Sequence, residues 1–390
     1  MKKVLSLVLV LCMLCSCKGF EQKEEAFTGG IWISCYELDS MLKSQKGFKE
    51  EFKAVIQNCK YLKIQNLYIH IRAFCDSIYQ SDYFPQTDSS KLYDFDVLEY
   101  IIEECKKEGL KVHAWINPYR VSSSVKNIDE INQKSPAYIW LKDDNTENDS
   151  NVGFANGIYL NPASSEVRAL VLDGIRELIA KYQVDGIHFD DYFYPTTSED
   201  FDSSSYIKYK NSTDNPLTLS DWRRMNVNTL ISACYTAIKF ANKDIVFSIS
   251  PAADIEKNYD NLYADIREWL KNGYIDEIIP QLYFGFEYPD KKFCFENLLA
   301  DWKELIAVNK KVKLKIGLAS YKAVPELEAD KQEWGSNSDI IARQVEICEK
   351  DKAVSGYALF SYSSVFSEKA EYKMQCEKLA DYLTQENNNE

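Results

Sequence analysis

Two adjacent carboxylates, Asp190 and Asp191, end a predicted strand within the run VDGIHFDDYFYP. A carboxyl group set among aromatic side chains loses water, its pKa rises, and it becomes fit to act as a general acid near neutrality. Neighbouring residues of a strand project to opposite faces, so parity predicts that Asp190 alone points into a cleft. Asp191 is then expected to cap the following turn or to orient its neighbour. The same alternation gathers other polar side chains on the face of Asp190: His188 on its own segment, His113, Trp115 and Asn117 in KVHAWIN, and His70 and Arg72 in YIHIR. The opposite faces read Ile69, Ile71, Ala114, Ile116, Ile187 and Phe189, so the polar set is the axial one and all three histidines of the chain face one axis. Further along, Gln281 and Tyr283 share a face in IIPQLYFGFEYP with Glu287 in the loop that follows, and Phe360 and Tyr362 share another.

Carboxyl groups and amides converging beside aromatic rings are the equipment of glycoside hydrolysis, in which two carboxyls flank the scissile bond and rings stack on the sugar. The second carboxyl is open among Asp191, Glu287 and Asp254 of SISPAAD. A 2-acetamido sugar offers another route: its carbonyl oxygen serves as nucleophile, and one carboxylic acid with an orienting Tyr283 suffices. Three histidines from adjacent strands have a geometry that suits zinc. The chain lacks an HxH pair on its first strand and a lysine placed for carboxylation, so neither metal nor cofactor is expected. Two competing classes are a glycan-binding protein without turnover, favoured by the unclear second carboxyl, and a metal-dependent hydrolase of another bond.

The elements that must position these residues come in a regular order. Strand signals fall at 30–35, 66–74, 111–117, 186–190, 244–251, 277–284, 313–321 and 355–362, with amphipathic helical patterns between them. One helix turns Val167, Val171, Ile175, Leu178, Ile179 and Tyr182 inward, with Asn161 as its cap and Pro162 as its first residue. Another buries Leu98, Ile101, Ile102 and Cys105 and stops at Gly109. Eight strands alternating with helices predict a single (β/α)8 TIM barrel over residues 28–384, whose site lies at the C-terminal ends of the strands. Two long loops follow the third and fourth strands, 121–160 and 192–220, and the second is rich in rings: Tyr192, Phe193, Tyr194, Phe201, Tyr206 and Tyr209.

Composition narrows the partners. The 390 residues are 45% hydrophobic and 27% charged with a formal charge of -14, so a nucleic-acid backbone finds no basic excess to bind. Lys2 and Lys3 precede an apolar run, Val4 to Leu14, of signal-peptide length. Leu14-Cys15-Ser16-Cys17 resembles a bacterial lipobox, so residues 1–16 are expected to be removed and Cys17 to carry the lipid. An acidic tether (17–27) then joins the membrane to the barrel, and a polar tail (385–390) ends the chain. The eight remaining cysteines show no CxxC spacing and are expected as buried thiols.

The runs GGIWIS, Arg72 to Tyr83 with Asp76, Tyr79 and Ser81, VHAWINPYRV, IYLNPASSEVR, YQVDGIHFDDYFYP, FSISP, IIPQLYFGFE and IGLASYK together resemble the glycosyl-hydrolase-like family 10 lipoproteins. The resemblance spans about residues 28 to 365. It implies a TIM-barrel glycosidase, of a group with a branch that hydrolyses peptidoglycan glycan strands, and roles for Arg72, Asn117, Tyr119, Arg120, Asp190, Asp191, Gln281 and Tyr283. The resulting expectation is a lipid-anchored glycoside hydrolase of the cell envelope, acting on peptidoglycan strands or another amino-sugar polymer. Asp190 is its preferred catalytic carboxylate, with Asp191 or Glu287 as the second. Arg72, His113, Asn117, His188, Gln281 and Tyr283 hold hydroxyl or acetamido groups, and Trp115, Tyr119, Tyr192 and Tyr194 form stacking walls. Asp76, Arg120 and Tyr362 complete the substrate contacts; the oligomeric state is left open.

Overall fold

The computed structural model describes residues 26–385. The expected signal peptide, Cys17, most of the expected tether and the end of the tail lie outside the described residues. All eight expected strand segments form: β1 (Thr28–Ile33), β2 (Ile64–Arg72), β3 (Lys111–Ile116), β7 (Gly186–Phe189), β8 (Val246–Ile249), β9 (Glu277–Ile278), β10 (Lys313–Ala319) and β11 (Val354–Phe360). They close into one barrel in the order β1-β11-β10-β9-β8-β7-β3-β2 with every neighbouring pair parallel. Isoleucine, valine and leucine on the outer parity of these strands pack against the surrounding helices, as alternation requires.

Helix boundaries follow local chemistry. In the helix Val97–Lys107 the Asp96 carboxylate accepts from Glu99 N at 3.0 Å, Leu98, Ile101, Ile102 and Cys105 are buried, and the chain leaves through Gly109 at φ 73. The helix expected after Asn161 begins later: Ser164 caps Ser165–Lys181, accepting from Glu166 N and Val167 N. Asn161 is diverted because its amide reaches Ser150 O, Ser205 Oγ and Ala163 N, an Asx-type turn ahead of the helix. The loop after β3 is more ordered than expected. It folds into an antiparallel sheet of β4 (Arg120–Ser122), β6 (Ile158–Leu160) and β5 (Val152–Phe154), with a short helix, Pro136–Lys142, inserted. The loop after β7 is pinned by an ion pair wholly out of water, Arg223 to Asp202 at 2.5 Å. The eight described cysteines are free thiols, six of them buried.

The barrel interior is polar at its floor and pairs itself. Lys315 Nζ meets Glu277 Oε2 at 2.9 Å with 5% and 6% of the side chains exposed. His113 Nε2 lies 3.1 Å from Asn66 Oδ1, and Gly186 leaves room for its ring, since a Cβ there would stand 2.2 Å from Nδ1. Above them Trp32 Nε1 donates to His188 Nε2 at 3.0 Å, and His188 Nδ1 therefore carries the proton shared with Ser248 Oγ at 2.8 Å. Breaking the floor pair strands a charge in a dry interior. Lys315→Met is expected to lower unfolding free energy by about 3–5 kcal/mol, while Lys315→Met with Glu277→Met recovers most of that loss, as read from denaturant midpoints.

Candidate active site

Asp190 is the residue around which the mouth is arranged. It follows the last ladder residue of β7 and is buried, yet its carboxylate is well solvated by protein: Oδ2 accepts from Trp115 Nε1 at 3.0 Å, and Oδ1 from Asn117 Nδ2 at 3.1 Å and Tyr192 N at 3.2 Å. Asn117 is itself held, its Oδ1 accepting from Arg120 N at 2.9 Å and its backbone N donating to Arg72 O. Burial raises the Asp190 pKa, opposed by the nearby Arg120 and by these three donors. Asp191 is raised to about 6, first by burial and next by the charge of Asp190, with Gln281 hydrogen bonding in the opposite sense. A half-buried acid held near 6 gives up its proton readily close to neutral pH.

Both carboxylates line a cavity of about 590 Å³ with Trp32, His70, Trp115, Arg120, Tyr192, Ser250, Gln281, Tyr283, Tyr321 and Phe360. The walls are aromatic on opposite sides. Tyr283 stacks on Phe360 (5.6 Å, 28°) with Tyr321 edge-on to it, and His70 lies flat on Trp115 at 3.7 Å. Arg120 bridges the third wall, its guanidinium 4.7 Å from the Tyr192 ring and 4.8 Å from that of Phe74. A second chamber of about 560 Å³ adjoins the first through Cys35, Tyr36 and His70. Asp76 lines it and is tied down by Ala73 N and Phe74 N. A larger groove, about 1470 Å³, runs on the outside between helices, and its sole acidic lining residue, Asp185, is bonded to Val112 N.

The structure brings together Trp115, Arg120, Asp190, Asp191, Tyr192, Gln281 and Tyr283, with Asn117 directly behind Asp190. Asp191 corrects the parity argument: β7 ends at Phe189, alternation ends with it, and both aspartates reach the cavity. Arg72 turns the other way. The β2–β3 register slips between His70 and Arg72, and the guanidinium packs over Phe84, 4.2 Å from the ring, between barrel and helix rather than in the mouth. His113 and His188 do face the axis, but below the cavity, where burial keeps both neutral and lowers His188 to about 3. Tyr119 is buried towards Arg168 and Cys234, Tyr194 against Tyr263 and Arg223, and the Tyr362 hydroxyl accepts from Asn58 outside the cavity. Glu287 is exposed on the outer rim, and Asp254 caps a helix and pairs with Lys292 at 2.9 Å. Among the described residues no three of His, Cys, Asp and Glu are grouped to hold a metal ion.

Glu37 is the acid that strand parity does not reach. It lines the cavity, but its carboxylate is consumed by Ser34 N, Ser361 Oγ and Ser363 N at 2.6 to 2.7 Å, so it clamps the ends of β1 and β11 together. The spacing Ser34-x-x-Glu37 after the first strand, a capping box, was its signal. Because the folded pKa of Asp191 (about 6) exceeds the value of 3.8 for a free side chain, the native state binds the extra proton between those limits, and stability falls as pH rises from 4 to 6. Asp191→Asn removes that slope, and its denaturant midpoint is expected to exceed that of the parent at pH 8 by a margin that vanishes near pH 4.

Residues 28–336 match the family model described as glycosyl hydrolase-like 10. The chain is 30% identical over 360 residues to glycosyl hydrolase YngK of Bacillus subtilis, covering 85% of this chain and 67% of that protein. It is 29% identical over 411 residues to glycosyl hydrolase DigH of Escherichia coli, covering 91% of each. Among solved structures, the glycoside hydrolase domain of PgaB (BpsB) from Bordetella bronchiseptica superposes with a TM-score of 0.60 at 14% identity over 92% of this chain and 98% of that one, a likeness of fold. A closed barrel with a buried and a half-buried aspartate in an aromatic mouth, on a sequence similar to those of these hydrolases, places the chain in the glycosyl hydrolase-like 10 family, as a glycoside hydrolase.

Proposed function

We propose that the bond cleaved joins 2-acetamido sugars of a bacterial polymer, peptidoglycan glycan strands before others. The observation carrying this reading is that the two raised carboxyl groups stand side by side at the end of one strand, while the facing wall is aromatic and its acid, Glu37, is occupied by three donors. Direct displacement or water activation needs carboxyls on both sides of the scissile bond, roughly 5 to 9.5 Å apart. A pair on one side fits a substrate that brings its own nucleophile, the acetamido oxygen. Asp191, which holds its proton up to about pH 6, gives that proton to the leaving oxygen. The Asp190 carboxylate, held by its three donors, accepts the acetamido N–H, aligning the carbonyl and stabilising the positive charge it acquires. Tyr283 and Trp115 bracket the ring, and Gln281 and Arg120 hold polar substituents. The chain acts outside the cytoplasm, held to a membrane by a lipid on Cys17, which the hydrophobic run and the Leu14-Cys15-Ser16-Cys17 motif support.

Digestion of purified, peptide-free glycan strands with products read by mass tests the reading. Asp190→Asn and Asp191→Asn are each expected to lose at least about 100-fold in kcat, and Glu287→Gln less than about twofold. The kcat profile descends above pH about 6 and loses that limb in Asp191→Asn. Equal turnover of strands with and without acetamido groups would sink the substrate-assisted step.

A further inference from the structure

The chain is acidic, yet its charge is divided between the two ends of the barrel. The seven segments that lead into strands β2, β3 and β7 to β11, at 60–64, 106–111, 181–185, 239–246, 271–277, 306–313 and 350–354, hold 14 lysines against six acidic residues. The eight that follow the strands towards the mouth, at 34–47, 73–96, 117–164, 190–218, 250–265, 279–294, 320–339 and 361–369, hold 31 acidic residues against 15 basic ones. Lysine at a helix C-terminus is favoured by the helix dipole, and several of these serve that purpose or pair locally, as Lys60 does with Glu108. Lys111, Lys243, Lys271, Lys310, Lys311 and Lys352 are exposed and form no ion pair among the described residues.

Apolar side chains stand among these lysines. Phe240 is 92% exposed, Val308 63% and Tyr61 57%, each at or just beyond the end of a helix and flanked by lysine: Lys60 and Lys63, Lys239 and Lys243, Lys310 and Lys311. A basic surface with protruding aromatic and aliphatic tips is the chemistry of a protein that rests on anionic headgroups. The chain also enters β1 at this end, and Cys17 lies nine residues before Ala26, a reach of at most about 30 Å.

We propose that the basic end of the barrel, opposite the catalytic mouth, docks on a membrane surface rich in anionic phospholipid. The mouth with its two aspartates then faces away from the bilayer and towards the polymer. Docking adds to the reading of Cys17 as a lipid anchor and does not require it, because six unpaired lysines within a Debye length of anionic headgroups attract the surface themselves, at roughly fivefold in partition each.

Hydrogen exchange of the full chain on vesicles of phosphatidylglycerol with phosphatidylcholine, against pure phosphatidylcholine, tests this directly. Protection is expected at 60–64, 106–111, 239–246 and 306–313 on the anionic vesicles only, lost at 0.5 M salt, with the mouth loop 192–218 unchanged. The triple variant Lys243→Glu, Lys310→Glu, Lys311→Glu should lose at least tenfold in affinity for the same vesicles while cleaving a soluble glycan as the parent does. Equal protection on neutral vesicles, protection of the mouth, or protection by soluble polyphosphate but not by vesicles would overturn the proposal. The mass of the N-terminal peptide reads the anchor separately. A chain without lipid that still sediments with anionic vesicles at low salt keeps the docking face and discards the anchor; one that does not sediment discards the docking face.

Discussion

The inside of a closed eight-stranded barrel offers no bulk water, so a polar side chain admitted to it is costly unless a neighbouring strand supplies a partner; most find one, and the Tyr68 hydroxyl and His113 Nδ1 have none among the described residues. This constraint orders the molecule from floor to mouth. At the floor, Lys315 neutralises Glu277 and Asn66 bonds Nε2 of His113. One level up, Trp32 and Ser248 use both nitrogens of His188 and so fix its neutral tautomer. At the mouth, the same rule turns Trp115, Asn117 and the Tyr192 amide onto Asp190. The carboxylate is therefore both the top of a polar core and the start of the site, and it needs little reorganisation to meet a developing charge.

Asp191 shows what the next residue gains from that arrangement. It is half-buried and feels the charge of Asp190, and where Asp190 has Trp115, Asn117 and the Tyr192 amide, Asp191 has Gln281, so its carboxyl is pushed up to about 6. Two identical side chains one residue apart thus acquire different chemistry from their surroundings alone. The aromatic wall opposite, where Tyr283 stacks on Phe360, keeps solvent from levelling the difference.

Much of this was legible in the residues. Hydrophobic alternation located all eight barrel strands, and parity put Trp115, Asn117 and Asp190 on one face because neighbouring strands in a parallel sheet share a pleat. Parity failed where its premise did. It assumes an unbroken ladder, which slips at Arg72 and stops before Asp191. It is also blind to depth: His113 and His188 have the expected facing but sit too far from the strand ends to meet a ligand. The rings of the loop after β7 look alike in the sequence, yet Tyr192 opens on the cavity while Tyr194 is drawn down by the buried pair of Arg223 and Asp202.

Strand number, the side chains that face inward and the total charge are local quantities, already settled by the order of residues. Each is set by dihedral preference or composition over a few residues. The height of each polar group on the axis, the donors that reach each acid, and the division of charge into a basic end and an acidic mouth came with the folded barrel. Those depend on strand stagger and barrel closure, which are settled by hydrogen bonds between residues tens of positions apart and leave no mark in any short run of sequence.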